Sequence, residues 1–216
     1  MNDKERKYET LTVASLGPGN PKYILPAAMQ AIEAAEVVAC GKRHLESFDA
    51  SGKEVHIIGT GGEKLSAVMA AVKAVYPYKK TVLVVSGDCG FYSLLRYAGK
   101  VIGKAHIKAI PGVSSLTYFY AKLSLPWQDA ALISLHGRDQ DLVGCVKRHS
   151  SVGVLTDGVH NAAYIAKQLK ENGLTDKVLY VGEDLSYPEE RISRLSVEEG
   201  LAFQEKGMSV VIVADE

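Results

Sequence analysis

The chain is poor in cysteine, with three in 216 residues. Cys40, Cys89 and Cys145 lie far apart and are odd in number. That argues against a disulfide framework or a CxxC metal site, and for a reducing cytoplasm. Net charge is missing as well, because 25 basic residues balance 25 acidic ones. Binding to nucleic acid through a broad basic face is therefore not expected, since counterion release needs many clustered Lys and Arg. No apolar run approaches the roughly 18–20 residues of a membrane span. The N-terminal MNDKERKYET is charged and lacks the apolar stretch of a secretory signal. Low-complexity segments are absent, and the aromatics, 7% of the chain, are too scattered for a stacking platform.

What is present is an ordinary globular balance, 47% hydrophobic and 23% charged. At roughly 100–200 residues per domain, the length suits one large domain or two small ones. Apolar, β-branched runs recur: LTVASLG (11–17), EVVACG (36–41), EVHIIG (54–59), TVLVVSG (81–87) and HIKAIPG (106–112). A second series follows: AALISLHG (130–137), SVGVLTDG (151–158), KVLYVGE (177–183), ERISRLSV (190–197) and MSVVIVADE (208–216). Most are nearly continuous in apolar character, as in strands covered on both faces. The runs at 54–59 and 190–197 alternate instead and are expected nearer an edge.

Helical patterns fill the gaps. Leu65, Val68, Met69, Val72 and Tyr76 form one stripe in 62–76, and Ala162, Ile165, Ala166 and Leu169 another in 160–172. Shorter helices are expected at 23–35, 91–101, 114–123, 139–149 and 197–206. Strands alternating with helices predict an α/β protein with mainly parallel sheets. Ten strands suit two five-stranded α/β domains better than one wide sheet. Ile110-Pro111-Gly112 marks the expected boundary, dividing the chain into 1–110 and 111–216, with a ligand cleft between the halves.

The turns that leave the strands are rich in glycine. They are Gly17-Pro18-Gly19-Asn20-Pro21, Ser86-Gly87-Asp88-Cys89-Gly90, Pro111-Gly112-Val113-Ser114-Ser115, His136-Gly137-Arg138, Thr156-Asp157-Gly158 and Gly182-Glu183-Asp184. In open α/β sheets ligands bind beyond the carboxyl ends of strands, and glycine lets the backbone come close to them. Known nucleotide motifs fit poorly. Lys22 stands where a dinucleotide fingerprint needs its third glycine, and Gly59–Lys64 lacks the spacing of a phosphate-binding loop. Asp88 reads either as a ligand contact or as a turn residue bonding nearby backbone. Cys89 reads as a thiolate at the start of a helix or as a small buried residue. His136 reads as an acid or base near neutral pH or as a strand-end histidine with one structural hydrogen bond. Lys42, Arg43, Arg96, Arg138, Arg191 and Arg194 read as solvated surface, with Arg138 and Arg191 better placed because they flank these turns.

The segments LGPGNP (16–21), VVSGDCGFYSLL (84–95), IPGVSS (110–115), SLHGR (134–138), LTDGVHN (155–161) and VGEDLSYPEERI (181–192) together resemble the tetrapyrrole (corrin/porphyrin) methylase family. These are the class III S-adenosylmethionine-dependent methyltransferases, and the resemblance runs from about Leu11 to the C-terminus. GKRHLESF (41–48), LSLPWQDAALISLHGR (123–138) and YPEERI (187–192) are similar to the branch that methylates C(5) of the corrin ring in cobalamin synthesis.

The resemblance implies a pair of α/β domains, a homodimer and S-adenosyl-L-methionine held between the domains, leaving as S-adenosyl-L-homocysteine. It assigns cofactor contacts to Gly87, Asp88, Cys89, Phe91, Ser114, Ser115, Leu155, Thr156, Asp157, Glu183, Asp184 and Leu185. Gly17, Pro18, Gly19, Asn20 and Pro21 would face the tetrapyrrole. The substrate is a polycarboxylate corrin precursor, so Arg43, Arg138 and Arg191 become its candidate partners. Cys89 replaces the proline usual in the family's GDP loop, and altered loop stiffness is expected rather than lost activity.

The chemistry needs positioning more than a nucleophile, because a corrinoid meso carbon is electron-rich and the sulfonium methyl is already activated. His136 and Asp157 are the candidate acceptors of the proton that must leave afterwards. No resident metal is expected. A chain of this length leaves no room for the C(15)-methylating and decarboxylating module, so that activity is expected on a separate partner enzyme. Other readings stay open: another ring carbon, an RNA ribose, a modified histidine of a translation factor, or a silent module that binds tetrapyrrole or S-adenosylmethionine.

Overall fold

The computed structural model describes residues 7–59 and 62–215. Met1–Arg6, Thr60, Gly61 and Glu216 lie outside the described residues, and with them much of the charged N-terminal stretch and the middle of the Gly59–Lys64 run. Among the described residues ten strands and seven α-helices alternate. The chain divides into two compact units, Met1–Ser114 and Ser115–Glu216.

The first unit holds β1 (Leu11–Ser15), β2 (Val37–Gly41), β3 (Glu54–Ile58), β4 (Thr81–Val85) and β5 (Ile107–Ile110). They pair in parallel in the order β3-β2-β4-β1-β5. Successive side chains of a strand point to opposite faces, and here both faces are covered. Leu11, Val13, Leu83 and Val85 pack with α2 (Leu65–Val75) and α3 (Leu95–Ile102). Ala14, Val38, Cys40, Val82 and Val84 pack with α1 (Pro26–Glu33). Two covered faces explain why these strands read as unbroken apolar runs. The helices start later than periodicity predicts. α1 waits for Pro26, whose fixed φ suits a first helical turn. α3 waits until Leu95, because Tyr92 has φ +47°, outside the helical region.

The second unit contains α4 (Ser115–Lys122), β6 (Ala131–Ser134), α5 (Leu142–Arg148), β7 (Ser151–Leu155) and α6 (Ala162–Glu171). β8 (Val178–Glu183), β9 (Arg191–Ser196), α7 (Val197–Gly200) and β10 (Ser209–Ala214) complete it. The order is β6-β7-β10-β8-β9. Helices α5, α6 and α7 pack on one face through Leu142, Val146, Ile165, Leu169 and Val197. On the other face α4 reaches the backbone of the sheet. A Cβ on Gly153 would meet Leu132, Tyr120 and Leu116 at 2.9–3.2 Å, so glycine there admits the helix.

The expectation of mainly parallel sheets fails in this unit. Only β6–β7 is parallel, while β7–β10, β10–β8 and β8–β9 are antiparallel. A parallel return needs a crossover of about a dozen residues or more. The Asp184–Glu190 connection is too short for that, so β9 runs antiparallel to β8; β10 then runs in the direction of β9 and is antiparallel to both of its neighbours, β7 and β8. Between β9 and β10, α7 is a single capped turn. Ser196 and Glu199 form a reciprocal capping box at its start, and the helix expected over 197–206 stops at Gly200. β8 and β10 mimic parallel strands in sequence because they too are covered on both faces. The alternating runs lie where alternation implied, since β3 and β9 are both edge strands.

Candidate functional site

In the first unit the ends of β1, β4 and β5 are stitched together by short polar side chains. The Ser15 hydroxyl donates to Ile110 O at 2.8 Å and accepts from the Cys89 N–H at 2.9 Å. Gly17 and Gly87 exchange both backbone hydrogen bonds, at 3.2 and 2.8 Å. The Asp88 carboxylate accepts from the Gly90 N–H at 2.8 Å and from the Gly112 N–H at 2.9 Å. Asp88 therefore ties the Gly87 loop to the Pro111–Ser114 loop, and Pro111–Ser114 stays with the first unit. Gly112 is the tightest position. A Cβ there would fall 2.5 Å from Ser15 Cβ and 2.6 Å from Gly87 O. The structure thus brings Gly17, Gly87, Asp88, Cys89 and Ser114 into one cluster, with Ser114 buried and its Cα facing Gly87.

Cys89 is buried, its thiol is 3.6 Å from Ile110 O, and the next α-helix begins only at Leu95. The reading of Cys89 as a thiolate opening a helix is thereby corrected, because no helix N-terminus lies beneath it. Phe91 packs edge-on against Tyr92. Asn20 caps the turn Pro21–Tyr23 through its side-chain oxygen, which accepts from the Lys22 N–H. Arg43 reaches the same end of the sheet, where its Nη2 donates to Ser86 Oγ at 2.9 Å. The adjacent His44 contacts the same oxygen at 2.7 Å through Nε2 and accepts the Gly41 N–H on Nδ1 at 3.2 Å. Burial, reinforced by the neighbouring Arg43 charge, lowers the His44 pKa to about 4.

In the second unit the candidate residues gather at one end of the sheet. The His136 Nδ1 lies 3.0 Å from Thr156 O, and Thr156 donates its hydroxyl to Ser209 O. The Asp157 carboxylate accepts from the N–H groups of Gly137, Val159 and His160 at 2.7–2.9 Å. These bonds, led by that of Gly137, hold its pKa far below the usual carboxylate range. A carboxylate so occupied organises its loop and is a poor proton acceptor, which counts against Asp157 as the base.

Glu183 is buried, accepts from the Lys206 N–H and lies 3.5 Å from Arg191 Nη2. Its carboxylate thus braces the loop from inside. Asp184 exchanges hydrogen bonds with Met208, and Leu185 is buried against Gly182. Asp184 and Ser186 have φ of +45° and +72°, a strained backbone on both sides of Leu185. Glu190 holds this turn. Its carboxylate accepts from the Ser186 N–H, the Tyr118 hydroxyl and Lys122 Nζ at 2.6–2.7 Å.

Two residues were not singled out in the sequence, His44 and Glu190, and Ser86 was named only as part of its turn. GKRH directly after a strand and the acidic pair in YPEER were the available signals, but neither shows what it touches. Leu155 ends β7, Ser115 begins α4, and Arg138 is exposed with its Nε 3.4 Å from His136 O. Among the described residues no group of three His, Cys, Asp or Glu is placed to hold a metal ion, and no helix is long and apolar enough to cross a membrane.

Comparison with known proteins identifies the group to which this architecture belongs. The profile of the Tetrapyrrole (Corrin/Porphyrin) Methylases matches residues 10–200. A cobalt-precorrin-7 C(5)-methyltransferase of Salmonella typhimurium is 33% identical over 211 residues, covering 95% of this chain and 99% of that protein. A probable cobalt-precorrin-7 C(5)-methyltransferase of Methanocaldococcus jannaschii is 32% identical, covering 87% of this chain and 89% of its own. Among solved structures, a uroporphyrin-III C-methyl transferase of Thermus thermophilus complexed with S-adenyl homocysteine superposes with a TM-score of 0.77. It is 20% identical, over 95% of this chain and 92% of that one. The chain belongs to the tetrapyrrole (corrin/porphyrin) methylase family.

Proposed function

We propose that the chain transfers the methyl group of S-adenosyl-L-methionine to C(5) of cobalt-precorrin-7 or precorrin-7 in cobalamin biosynthesis. Near-complete mutual coverage with the Salmonella C(5)-methyltransferase carries this reading.

The strand-end loops suit the cofactor. Cβ atoms at Gly137 and Gly158 would meet nothing within 4 Å, so backbone there is open to a ligand, and Gly87 meets only Ser114 at 3.7 Å. Gly87, Asp88, Cys89, Phe91, Ser114 and Ser115 would hold it from one side of the sequence. Leu155, Thr156, Asp157 and Glu183–Leu185 would do so from the other, with Asp88, Asp157 and Glu183 shaping loops rather than donating to it. When bound, the cofactor supplies an activated sulfonium methyl. The residues of this chain orient the substrate and exclude water, and such positioning is worth roughly 7–11 kcal/mol of barrier.

His136 is the better proton acceptor of the two candidates. Its Nδ1–H donates to Thr156 O, which leaves the Nε2 lone pair as the acceptor on an exposed ring. Gly17–Pro21 would line the tetrapyrrole, and Arg43, Arg138 and Arg191 would meet its carboxylates. We also propose a homodimer in the cytoplasm, working beside a separate C(15)-methylating and decarboxylating enzyme. Trp127, Val159 and Met208, about half exposed or more, are consistent with a further interface.

The test is incubation of the purified chain with methyl-labelled S-adenosylmethionine and cobalt-precorrin-7, with the labelled carbon located by NMR. Label at C(5) is expected. Label at another ring carbon, or none, would overturn the reading.

A further inference from the structure

We infer that Ser86 and Arg43 form a carboxylate-binding donor pair and that His44 is the positioning residue that aims the Ser86 proton. Gly41 ends β2, and Ser86 directly follows β4, the strand beside it. The Gly41 N–H donates to His44 Nδ1 at 3.2 Å. That bond requires a lone pair on Nδ1, so the ring proton sits on Nε2. Nε2–H must then donate to Ser86 Oγ, 2.7 Å away. Arg43 Nη2 donates to the same oxygen at 2.9 Å.

A serine hydroxyl has two acceptor sites and one proton. Both acceptor sites are taken by donors. The remaining proton therefore points away from His44 and Arg43, and Ser86 makes no further hydrogen bond among the described residues. Ser86 is only half-buried, next to Gly87 and Asp88 in the strand-end cluster of the first unit. An outward O–H beside a permanent guanidinium charge is the chemistry that receives a carboxylate. The low basicity of His44 supports the arrangement, because a neutral ring keeps Nδ1 as acceptor and Nε2 as donor.

Two carboxylate sources fit: the side chains of the polycarboxylate corrin and the amino-acid end of the cofactor. The choice between them rests on the proposed methyl transfer, while the donor pair itself does not.

The experiment uses the full chain with Ser86→Ala, Ser86→Thr, His44→Phe and His44→Gln. Calorimetry measures S-adenosylhomocysteine against 5′-methylthioadenosine, the same nucleoside without the carboxylate. Fluorescence titration measures uroporphyrin, a stable polycarboxylate tetrapyrrole. Loss of about tenfold in S-adenosylhomocysteine affinity for Ser86→Ala, with methylthioadenosine unchanged, assigns the pair to the cofactor. An equal loss for uroporphyrin with S-adenosylhomocysteine unchanged, together with a raised substrate KM at constant kcat, assigns it to the corrin. In either case Ser86→Thr and His44→Gln restore most of the affinity, because each returns the missing hydroxyl or donor, whereas His44→Phe does not. Unchanged affinities throughout, parallel losses for all three ligands, or no rescue would overturn the inference. Failure of wild type to methylate cobalt-precorrin-7 would defeat the proposed function alone, since the binding measurements stand without turnover.

Discussion

At the residue scale, Gly112 shows how little room the first unit leaves where three strand ends meet. The position is fixed by Ser15 Cβ on one side and Gly87 O on the other. Neither atom belongs to a flexible side-chain tip, so neither yields cheaply. Gly112→Ala is expected to cost about 1–3 kcal/mol, the usual range for overpacking a tight site. It should also weaken S-adenosylhomocysteine binding, because relief of the clash must push the Gly87 loop away. Denaturant unfolding and calorimetry on the same variant check both effects, and wild-type stability would mean that the loops are not packed as described. The PGVSS segment could be read from the sequence as a ligand loop. That its glycine serves backbone against backbone could not, since the three contacting strands are far apart in the chain.

At the element scale, the Asp184–Glu190 turn is held by α4. Tyr118 and Lys122 are one helical turn apart and so project from one side of that helix. Both converge on Glu190, which in turn accepts the Ser186 N–H. The clasp offsets the strain of two left-handed residues beside Leu185. Glu190→Gln replaces an ionised acceptor with a neutral amide and places an amide donor near at least one existing donor. A stability loss of about 1–3 kcal/mol is expected, together with a smaller thermal shift on adding S-adenosylhomocysteine. Wild-type behaviour in both measurements would show that the turn stands without the clasp. Element existence was legible throughout, because the strand runs and both long helical stripes carry strong periodicity. Strand direction was not. Burial on both faces erases the alternation that distinguishes an antiparallel strand with one wet face, and it did so at β8 and β10.

At the scale of the whole molecule, the charge states predict two separate windows of acid destabilisation. His44 has a folded pKa near 4 against an ordinary value of 6.5. The unfolded chain therefore binds more protons in that interval, and stability falls as pH drops from about 6.5 to 4, by at most about 3 kcal/mol. The second window lies lower. The three backbone N–H bonds to Asp157 hold its carboxyl below the ordinary range. Burial pushes the Glu190 pKa up, but its bonds to Lys122, Tyr118 and Ser186 outweigh that and leave it lowered. Their stabilisation is complete above the unfolded carboxylate range and is lost as pH falls through roughly 4 and below. Unfolding followed across pH is expected to show both slopes. His44→Gln should flatten the upper one and leave the lower, and a profile for this variant identical to wild type would contradict the His44 environment.

By itself the sequence determined the alternation of ten strands with helices, two of the four edge strands, the glycine-rich strand ends and the family. Each is written in local patterns of apolar spacing and turn residues, which survive without knowledge of distant neighbours. Only the tertiary structure decided that three of the four strand pairings in the second sheet are antiparallel. It also decided that Asp88, Asp157 and Glu183 turn their carboxylates to the backbone, and that His44 and Ser86 meet. The side-chain outcomes depend on hydrogen-bond partners up to 42 residues apart in the chain. Local pattern names the residue types available at a strand end, but which donor meets which acceptor is settled only when the strands pair.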